Sequence, residues 1–255
     1  MFFIIIPNKE LSSKYGTVNN NNDFREKARR DAAAPHLKST RTKGLNMSAL
    51  IESLAAKRVV PLVQSEDPAT ALKISEALLE GGLEVLEVVL RTDAALDCLE
   101  AIAKEFPQAH VGAGTVFNAG QSEEVIRRGA TFIVSPGLDE GSVKVAQSHD
   151  IPILPGVATP SELMRAHNMG LRTVKLFPAS VVGGPKMIKA LASVARDVGF
   201  MPTGGVSAAN LHEYLAVPAV LACGGSWLTP KAEIEAGNFA AITKLAKDAI
   251  AIANA

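Results

Sequence analysis

From residue 47 onward, short runs of Val, Ile and other apolar residues alternate with longer segments that carry helical patterning. There are eight such runs, and a helical stretch of about ten to fifteen residues follows each one. This alternation predicts repeated βα units and a parallel sheet. The eight predicted strands are Val59 to Val63, Val85 to Leu90, His110 to Thr115, Phe132 to Pro136, Ile151 to Gly156, Thr173 to Phe177, Phe200 to Gly204 and Val220 to Gly224.

Helix-start signals support this assignment. Asp67-Pro68 and Thr159-Pro160 each place a capping side chain before a proline at the first helical position. The amphipathic segment 47–57 predicts an extra helix that closes the N-terminal end of the strands. Eight βα units can also form an open doubly wound sheet, but no GxGxxG sequence follows the first strand. We therefore expect an α/β fold over residues 47–255, a closed (β/α)8 TIM barrel with an extra N-terminal helix.

The composition of the chain limits its expected binding partners and its expected cellular compartment. The 255 residues include 26 basic and 26 acidic side chains, so the formal net charge is zero. Such a balance does not indicate nucleic acid or an anionic membrane as a partner, and the apolar runs are much shorter than the ~20 residues that cross a bilayer. Cys98 and Cys223 lie far apart in the sequence, which excludes a disulfide framework and favours a reducing compartment. We expect a cytoplasmic protein.

Residues 1–46 differ from the rest of the chain. They contain four consecutive asparagines, nine Lys or Arg and four Asp or Glu, and no sustained apolar period. This composition predicts a disordered basic N-terminal extension. It is either a targeting peptide or an upstream extension that a native start at Met47 would exclude. The acidic residues in the segment favour the second interpretation.

Three charged residues lie in or directly after predicted strands. Glu87 belongs to the second strand, Arg91 directly follows that strand, and Lys175 belongs to the sixth. Strand alternation places Glu87 and Arg91 on one face, and it places Lys175 on the interior face with Thr173 and Phe177. A confined position disfavours the charged ammonium and leaves an amine that can attack a carbonyl carbon. The carboxyl ends of barrel strands are also where active sites lie.

A purely structural role for these residues is the main alternative. Lys175 and Glu87 could form a buried ion pair that serves only the fold. Buried ion pairs stabilise proteins poorly, because the loss of hydration can exceed the Coulombic gain. We therefore favour a catalytic role for Lys175 and Glu87, with Arg91 beside them.

Glycine-rich strand ends form a second group of candidates. Gly112-Ala113-Gly114, Gly204-Gly205 and Gly224-Gly225 can let the backbone approach a ligand and turn its N–H groups toward an anion. The last two pairs follow the seventh and eighth strands, where barrels frequently bind phosphate. Tight βα turns also require glycine, so a purely structural role stays open.

Three other residues are candidates at the mouth of the barrel. The hydroxyl of Thr115 either reaches the mouth or caps the following helix. Pro136 starts a rigid loop, and Phe177 could supply an apolar wall beside Lys175.

Six ordered motifs carry a resemblance to a known family. Between about residues 53 and 251, the chain closely resembles the KDPG/KHG aldolases, named for 2-keto-3-deoxy-6-phosphogluconate and 4-hydroxy-2-oxoglutarate. The motifs are Leu86-Glu87-Val88-Val89-Leu90-Arg91-Thr92, Gly112-Ala113-Gly114-Thr115-Val116, Ser135-Pro136-Gly137, Lys175-Leu176-Phe177-Pro178-Ala179, Pro202-Thr203-Gly204-Gly205 and Gly224-Gly225-Ser226-Trp227. Val89 and Leu176 are mild departures that leave the proposed roles intact.

The resemblance implies a role for each motif. Lys175 becomes the Schiff-base lysine and Glu87 the general acid and base. Arg91 and Thr115 bind the pyruvate carboxylate, and Thr203 lies near the aldehyde carbonyl. The phosphate site consists of Gly204, Gly205 and Ser226, with Phe177 and Pro136 also lining the pocket. The family further implies a homotrimer that serves the Entner–Doudoroff route.

The function that the resemblance implies is class I aldol cleavage of 2-dehydro-3-deoxy-6-phosphogluconate to pyruvate and glyceraldehyde 3-phosphate, with no cofactor and no metal. Cleavage of 4-hydroxy-2-oxoglutarate to pyruvate and glyoxylate is a second expected activity. A metal-dependent aldolase is disfavoured because the sequence shows no His/Asp/Glu cluster with ligand spacing. A phosphosugar isomerase or epimerase that uses Glu87 as a base stays an alternative, as does a non-catalytic barrel that binds sugar phosphates. Preference among the phosphogluconate, phosphogalactonate and 4-hydroxy-2-oxoglutarate substrates stays open.

Overall fold

The computed structural model describes residues 47–255, and the prediction of a disordered extension over residues 1–46 lies outside them. The helices alternate with parallel strands along the chain. The strands are β1 (Val59–Val63), β2 (Val85–Val89), β3 (His110–Gly114), β4 (Phe132–Val134), β5 (Ile153–Leu154), β6 (Gly156–Val157), β7 (Thr173–Leu176), β8 (Gly199–Pro202) and β9 (Cys223–Gly225).

The helices include the predicted N-terminal one. They are α1 (Met47–Lys57), α2 (Pro68–Glu80), α3 (Ala95–Glu105), α4 (Ala119–Arg127), α5 (Glu140–Ser148), α6 (Pro160–Asn168), α7 (Gly184–Val194), α8 (Leu211–Leu215), α9 (Lys231–Glu235) and α10 (Phe239–Asn254), with a 3₁₀ turn at Ser226–Leu228.

Local sequence explains where several helices begin. The side chain of Asp67 accepts a hydrogen bond from the backbone N–H of Thr70 at the start of α2. Thr159 and Glu162 form a reciprocal capping box at the start of α6, and Pro160 occupies its first turn. These contacts satisfy N–H groups that a helix start otherwise leaves without partners.

The expectation of a closed eight-stranded barrel is wrong. The parallel strands form one six-stranded sheet in the order β5-β4-β3-β2-β1-β9 and a separate three-stranded sheet in the order β6-β7-β8. Two isolated bridges, Phe200 with Val220 and Thr203 with Gly224, stand where a closed barrel needs a continuous ladder after β8.

Pro155 explains the second interruption of the predicted barrel, which lies between β5 and β6. Pro155 divides the fifth predicted strand into β5 and β6, which belong to different sheets. Its carbonyl accepts a hydrogen bond from the Lys175 N–H at 2.9 Å, but a proline nitrogen has no hydrogen to donate to a neighbouring strand. The hydrogen-bonded ladder that includes β4 therefore ends at β5, and β6 begins the ladder of the second sheet.

Two hydrophobic clusters cover the two faces of the strands. The outer cluster packs alternate strand residues, among them Leu86, Val88, Val174 and Leu176, against the helices. The inner cluster lies on the opposite face, and Leu50 and Leu54 of α1 pack into it. It also contains Val60, Val85, Phe132, Val134, Leu154, Met201 and Ala222. Both sheets contribute to this inner face, so their polar inner residues can meet.

Candidate active site

Glu87 and Lys175 meet on the inner face, although they belong to different sheets. Glu87 is the middle residue of β2, and its neighbours Leu86 and Val88 pack in the outer cluster. Lys175 in β7 is flanked in the same way by outer residues, as strand alternation predicts. The Lys175 Nζ atom lies 3.6 Å from Oε1 of Glu87. Glu87 is 0% and Lys175 2% exposed, so both charged groups are out of bulk water.

The hydrogen-bonding capacity of Glu87 is not used by other groups of the described chain. Both carboxylate oxygens are buried without a hydrogen-bond partner among residues 47–255. A buried carboxylate in this condition is unfavourable for folding, since buried polar groups are normally paired. Phe177 contacts the lysine from another side, with Nζ 5.1 Å from the ring centroid. The carboxylate is therefore available to exchange protons with the lysine or with a ligand.

Arg91 and Thr115 lie together at the carboxyl ends of β2 and β3. Nε of Arg91 donates to Oγ1 of Thr115 at 3.3 Å, and the arginine is exposed. Alternation alone would group Thr115 with Val111 and Ala113, which face the outer cluster. Its left-handed φ of 64° breaks the alternation. The backbone turn, rather than the strand period, brings this hydroxyl to Arg91.

The ends of β7, β8 and β9 form the other side of the site. The Ala179 N–H donates to the Thr203 carbonyl at 2.8 Å, and the Ser180 N–H donates to the Gly204 carbonyl at 3.0 Å. Gly204 and Gly205 have φ values of 94° and 80°, which favour glycine. This pair of left-handed residues is the kind of turn in which successive N–H groups can face an anion.

Thr203 and Ser226 differ in their access to water. Thr203 is 3% exposed, and its hydroxyl has no hydrogen-bond partner within residues 47–255. That hydroxyl packs against Gly224, where a Cβ atom would collide with it. Ser226 is exposed and begins the 3₁₀ turn two residues after Gly224.

Pro136 follows β4, and its carbonyl group packs against Gly156, whose missing side chain makes that approach possible. With Val116, Phe117, Leu138 and Asp139 it lines a cavity of about 190 Å³ that opens beside the ends of β3 and β4. Phe117 is 62% exposed there. Phe117 was not among the predicted site residues, because nothing in the local pattern distinguishes an exposed loop phenylalanine from a buried one.

The two cysteine thiols are weak nucleophiles near neutral pH. Burial raises the pKa of Cys98 to about 11 and that of Cys223 to about 12. Thiolate, the reactive form, is therefore scarce near neutral pH.

Two other kinds of feature are missing from residues 47–255. Groups of three or more His, Cys, Asp or Glu side chains that could hold a metal ion do not occur in this range. Within the same range, no helix is long and apolar enough to cross a membrane.

A buried amine beside a buried carboxylate, on the inner face of parallel strands, defines the class of protein as an α/β enzyme rather than a structural module. The family model described as KDPG and KHG aldolase matches residues 50–245. The chain belongs to this aldolase family, and it is accordingly a lyase.

Individual relatives agree with this assignment. The KHG/KDPG aldolase of Escherichia coli K12 is 48% identical over 192 residues, which cover 75% of this chain and 90% of that protein. The structure of the KDPG aldolase of Legionella pneumophila, with pyruvate captured as a covalent carbinolamine intermediate, has a TM-score of 0.75 and 40% identity, and covers 81% of this chain and 97% of its own. The KDPG aldolase of Zymomonas mobilis with 3-phosphoglycerate has a TM-score of 0.76 and 42% identity over the same shares.

Proposed function

We propose that this chain cleaves 2-dehydro-3-deoxy-6-phosphogluconate to pyruvate and glyceraldehyde 3-phosphate through a Schiff base on Lys175. The observation that carries the proposal is the buried Lys175–Glu87 pair, with 3.6 Å between Nζ and Oε1, in a member of the KDPG and KHG aldolase family. The named activities of the relatives support the choice of substrate.

Lys175 supplies the nucleophile. Its neutral amine attacks the C2 carbonyl carbon of the keto acid and forms a carbinolamine, which loses water to give a protonated imine. Glu87 takes the proton that the lysine must lose before it attacks, because the two groups are neighbours. It gives this proton to the carbinolamine hydroxyl, which leaves as water, so that the carboxylate is regenerated. The protonated imine then serves as the electron sink for the next step.

Glu87 moves the protons during carbon–carbon cleavage. It removes the proton of the C4 hydroxyl while the C3–C4 bond breaks. The electron pair of that bond forms the C2=C3 double bond of an enamine, and the π pair of the imine moves onto its nitrogen. The C4 fragment leaves as an aldehyde. Protonation of the enamine at C3 by Glu87 and hydrolysis of the resulting imine release pyruvate and regenerate the amine.

The two anionic ends of the substrate bind at the exposed rim. Arg91 and Thr115 bind the carboxylate of the keto acid, and the hydrogen bond that Arg91 donates to Thr115 holds the two side chains together. The N–H groups at Gly204 and Gly205 and the hydroxyl of Ser226 hold the phosphate.

Three less polar positions line the space between these ends. Thr203 lies near the aldehyde carbonyl, and Phe177 and Pro136 form apolar walls of the pocket. We include 4-hydroxy-2-oxoglutarate as a second substrate, since a pocket that does not bind each hydroxyl group discriminates weakly between related acids.

We extend the proposal to assembly and location. The chain would act as a homotrimer in the cytoplasm. Its two buried, unpaired cysteines are consistent with a reducing compartment. Light scattering should give a mass about three times the 26.8 kDa of one chain; a monomer mass would contradict the trimer but not the activity.

Borohydride trapping tests the Schiff base directly. Reduction in the presence of pyruvate should add a 1-carboxyethyl group to Lys175 and abolish cleavage, because it converts the imine to a stable secondary amine. Peptide mass spectrometry locates the added group, and Lys189, an exposed lysine of α7, is the internal control that should stay unmodified. Active protein without modification at Lys175 would refute the proposal and favour a non-covalent reaction.

A further inference from the structure

The carboxylate of Glu87 does not rest against the residue that faces it in the sheet. In the β2–β3 ladder, Glu87 is the partner of Gly112, and Val89 is the partner of Gly114. The side chain nevertheless leans toward the carboxyl end of the strands, and its carboxylate packs against Gly114. Since strand side chains alternate faces, Gly112 and Gly114 both lie on the inner face.

A side chain at residue 114 would occupy the place of this carboxylate. A Cβ atom built on Gly114 lies 2.7 Å from Cγ and 2.8 Å from Cδ of Glu87, and closer still to Oε1. Oε1 is the oxygen nearest to Nζ of Lys175. Gly114 is not among the glycines with positive φ, so alanine can adopt its backbone conformation. The requirement for glycine here is therefore one of space and not of backbone freedom.

Gly112, two residues earlier, makes room for a different group. A Cβ atom there would collide with the ring of Phe132, which belongs to the inner cluster. One glycine of the Gly112-Ala113-Gly114 segment thus admits a core ring, and the other admits the catalytic carboxylate. Neither of these two contacts involves a ligand anion.

We propose that Gly114 is a positioning residue, whose missing side chain makes the space from which the Glu87 carboxylate reaches Lys175. The proposal rests on the proposed function of Glu87. Glu87 is fully buried, so a methyl group at residue 114 would push its carboxylate within the protein interior and not out into bulk water. Displacement by about 1 Å is enough to impair proton transfer between groups held in fixed geometry.

The first variant to test is Gly114→Ala. We expect kcat for cleavage of 2-dehydro-3-deoxy-6-phosphogluconate to fall about 100-fold while KM changes by less than about 3-fold, because Arg91 and the phosphate-binding turn are untouched. Exchange of the pyruvate methyl protons in D₂O, which also requires Glu87, should fall in parallel. Gly120→Ala in α4 is the matched control, since a Cβ atom there meets nothing closer than 3.4 Å; it should leave both rates unchanged.

Removal of the acid beyond Cβ should relieve the collision, because Glu87→Ala takes away Cγ, Cδ and Oε1 together. In the Glu87→Ala background, Gly114→Ala should change the residual kcat by less than about 3-fold, and the two substitutions should be strongly non-additive. A merely structural role of the glycine would produce the same loss in both backgrounds. Equal losses in the unaltered and the Glu87→Ala backgrounds, or a kcat within about 2-fold of the unaltered protein in Gly114→Ala alone, would overturn the proposal.

Thermal unfolding covers the case in which Gly114→Ala does not fold. The double variant Glu87→Ala/Gly114→Ala should then be folded and melt near Glu87→Ala alone, because the colliding atoms have been removed. If both fail to fold, the clash lies elsewhere and the proposal is wrong. Failure of the proposed function is recognised separately, as lack of pyruvate release and of proton exchange in the unaltered protein.

Discussion

The polar residues proposed for the site fall into two groups by their distance from water. Lys175, Glu87 and Thr203 are buried, whereas Arg91 and Ser226 are exposed. The groups that would exchange protons or form covalent bonds are therefore held in a dry interior, where electrostatic interactions are strong. The groups that would bind the anionic ends of the substrate lie at the rim, where a charged ligand arrives.

Thr203 allows stability and activity to be separated. Its buried hydroxyl has no partner within the described residues, so Thr203→Val removes an unpaired polar group and keeps the shape of the side chain. We expect an unfolding free energy that is unchanged or higher by up to about 1 kcal/mol, together with a slower cleavage reaction.

Urea unfolding and kcat/KM measure these two quantities for Thr203→Val. Thr131→Val is the contrasting control, because the Thr131 hydroxyl donates to the Val111 carbonyl at 3.1 Å. It should lower stability and leave cleavage unaltered. A large loss of stability in Thr203→Val would mean that its hydroxyl has a structural partner.

At the scale of single elements, α1 is joined to the strands by an apolar and a polar contact. Leu50 and Leu54 pack into the inner cluster, and Oγ of Ser53 lies 3.0 Å from Nε2 of His110 at the start of β3. Nδ1 of this histidine is buried without a partner in the range 47–255. Burial lowers the pKa of His110, and the charge of Glu84 raises it by a smaller amount.

This histidine should make stability depend on pH. Because the pKa of His110 is lowered in the folded state, the unfolded chain binds a proton first as the pH falls below about 6.5. Stability from this group is thus present above pH 6.5 and is lost as the pH falls toward the folded-state pKa. Urea unfolding at pH 7.5 and pH 5.5 should show the loss.

Two variants identify the source of that pH effect. His110→Leu should reduce the difference in stability between the two pH values, because it removes the titrating group. His212→Gln, at an exposed position of α8, should leave the difference as it is. An unchanged difference in His110→Leu would assign the effect to other residues.

At the scale of the whole molecule, all the proposed site residues and the helix that covers the inner cluster belong to residues 47–255. A chain that begins at Met47 should therefore have the same melting temperature and the same rate of substrate cleavage as the full chain. Removal of α1 as well should lower the unfolding free energy by roughly 3 to 6 kcal/mol, from the burial of Leu50 and Leu54 alone.

Calorimetry and a pyruvate-release assay on the two shortened chains test this prediction. Equal stability with and without α1 would mean that the helix does not hold the inner cluster. Loss of activity in the chain that begins at Met47 would show that residues 1–46 contribute to the enzyme.

The features that could be predicted from the sequence are those whose information is local. The order of βα units, the helix start at Asp67 and the capping box of Thr159 and Glu162 follow from residues that are neighbours in the chain. Alternation along β2 and β7 also predicted the faces of Glu87 and Lys175. Six motifs in the family's order were sufficient to identify the family, because each motif consists of the residue types that the chemistry requires at those positions.

Three features depended on contacts between distant segments. The division into two sheets at Pro155 depends on the strands with which β5 and β6, on either side of this proline, form hydrogen bonds. The position of Thr115 follows from a left-handed backbone, and the purpose of Gly114 follows from the lean of a side chain on the adjacent strand. The sequence by itself determined the elements, their faces and the family. Only the tertiary structure decided sheet closure and the use of each glycine, because space between strands is defined jointly by residues far apart in the chain.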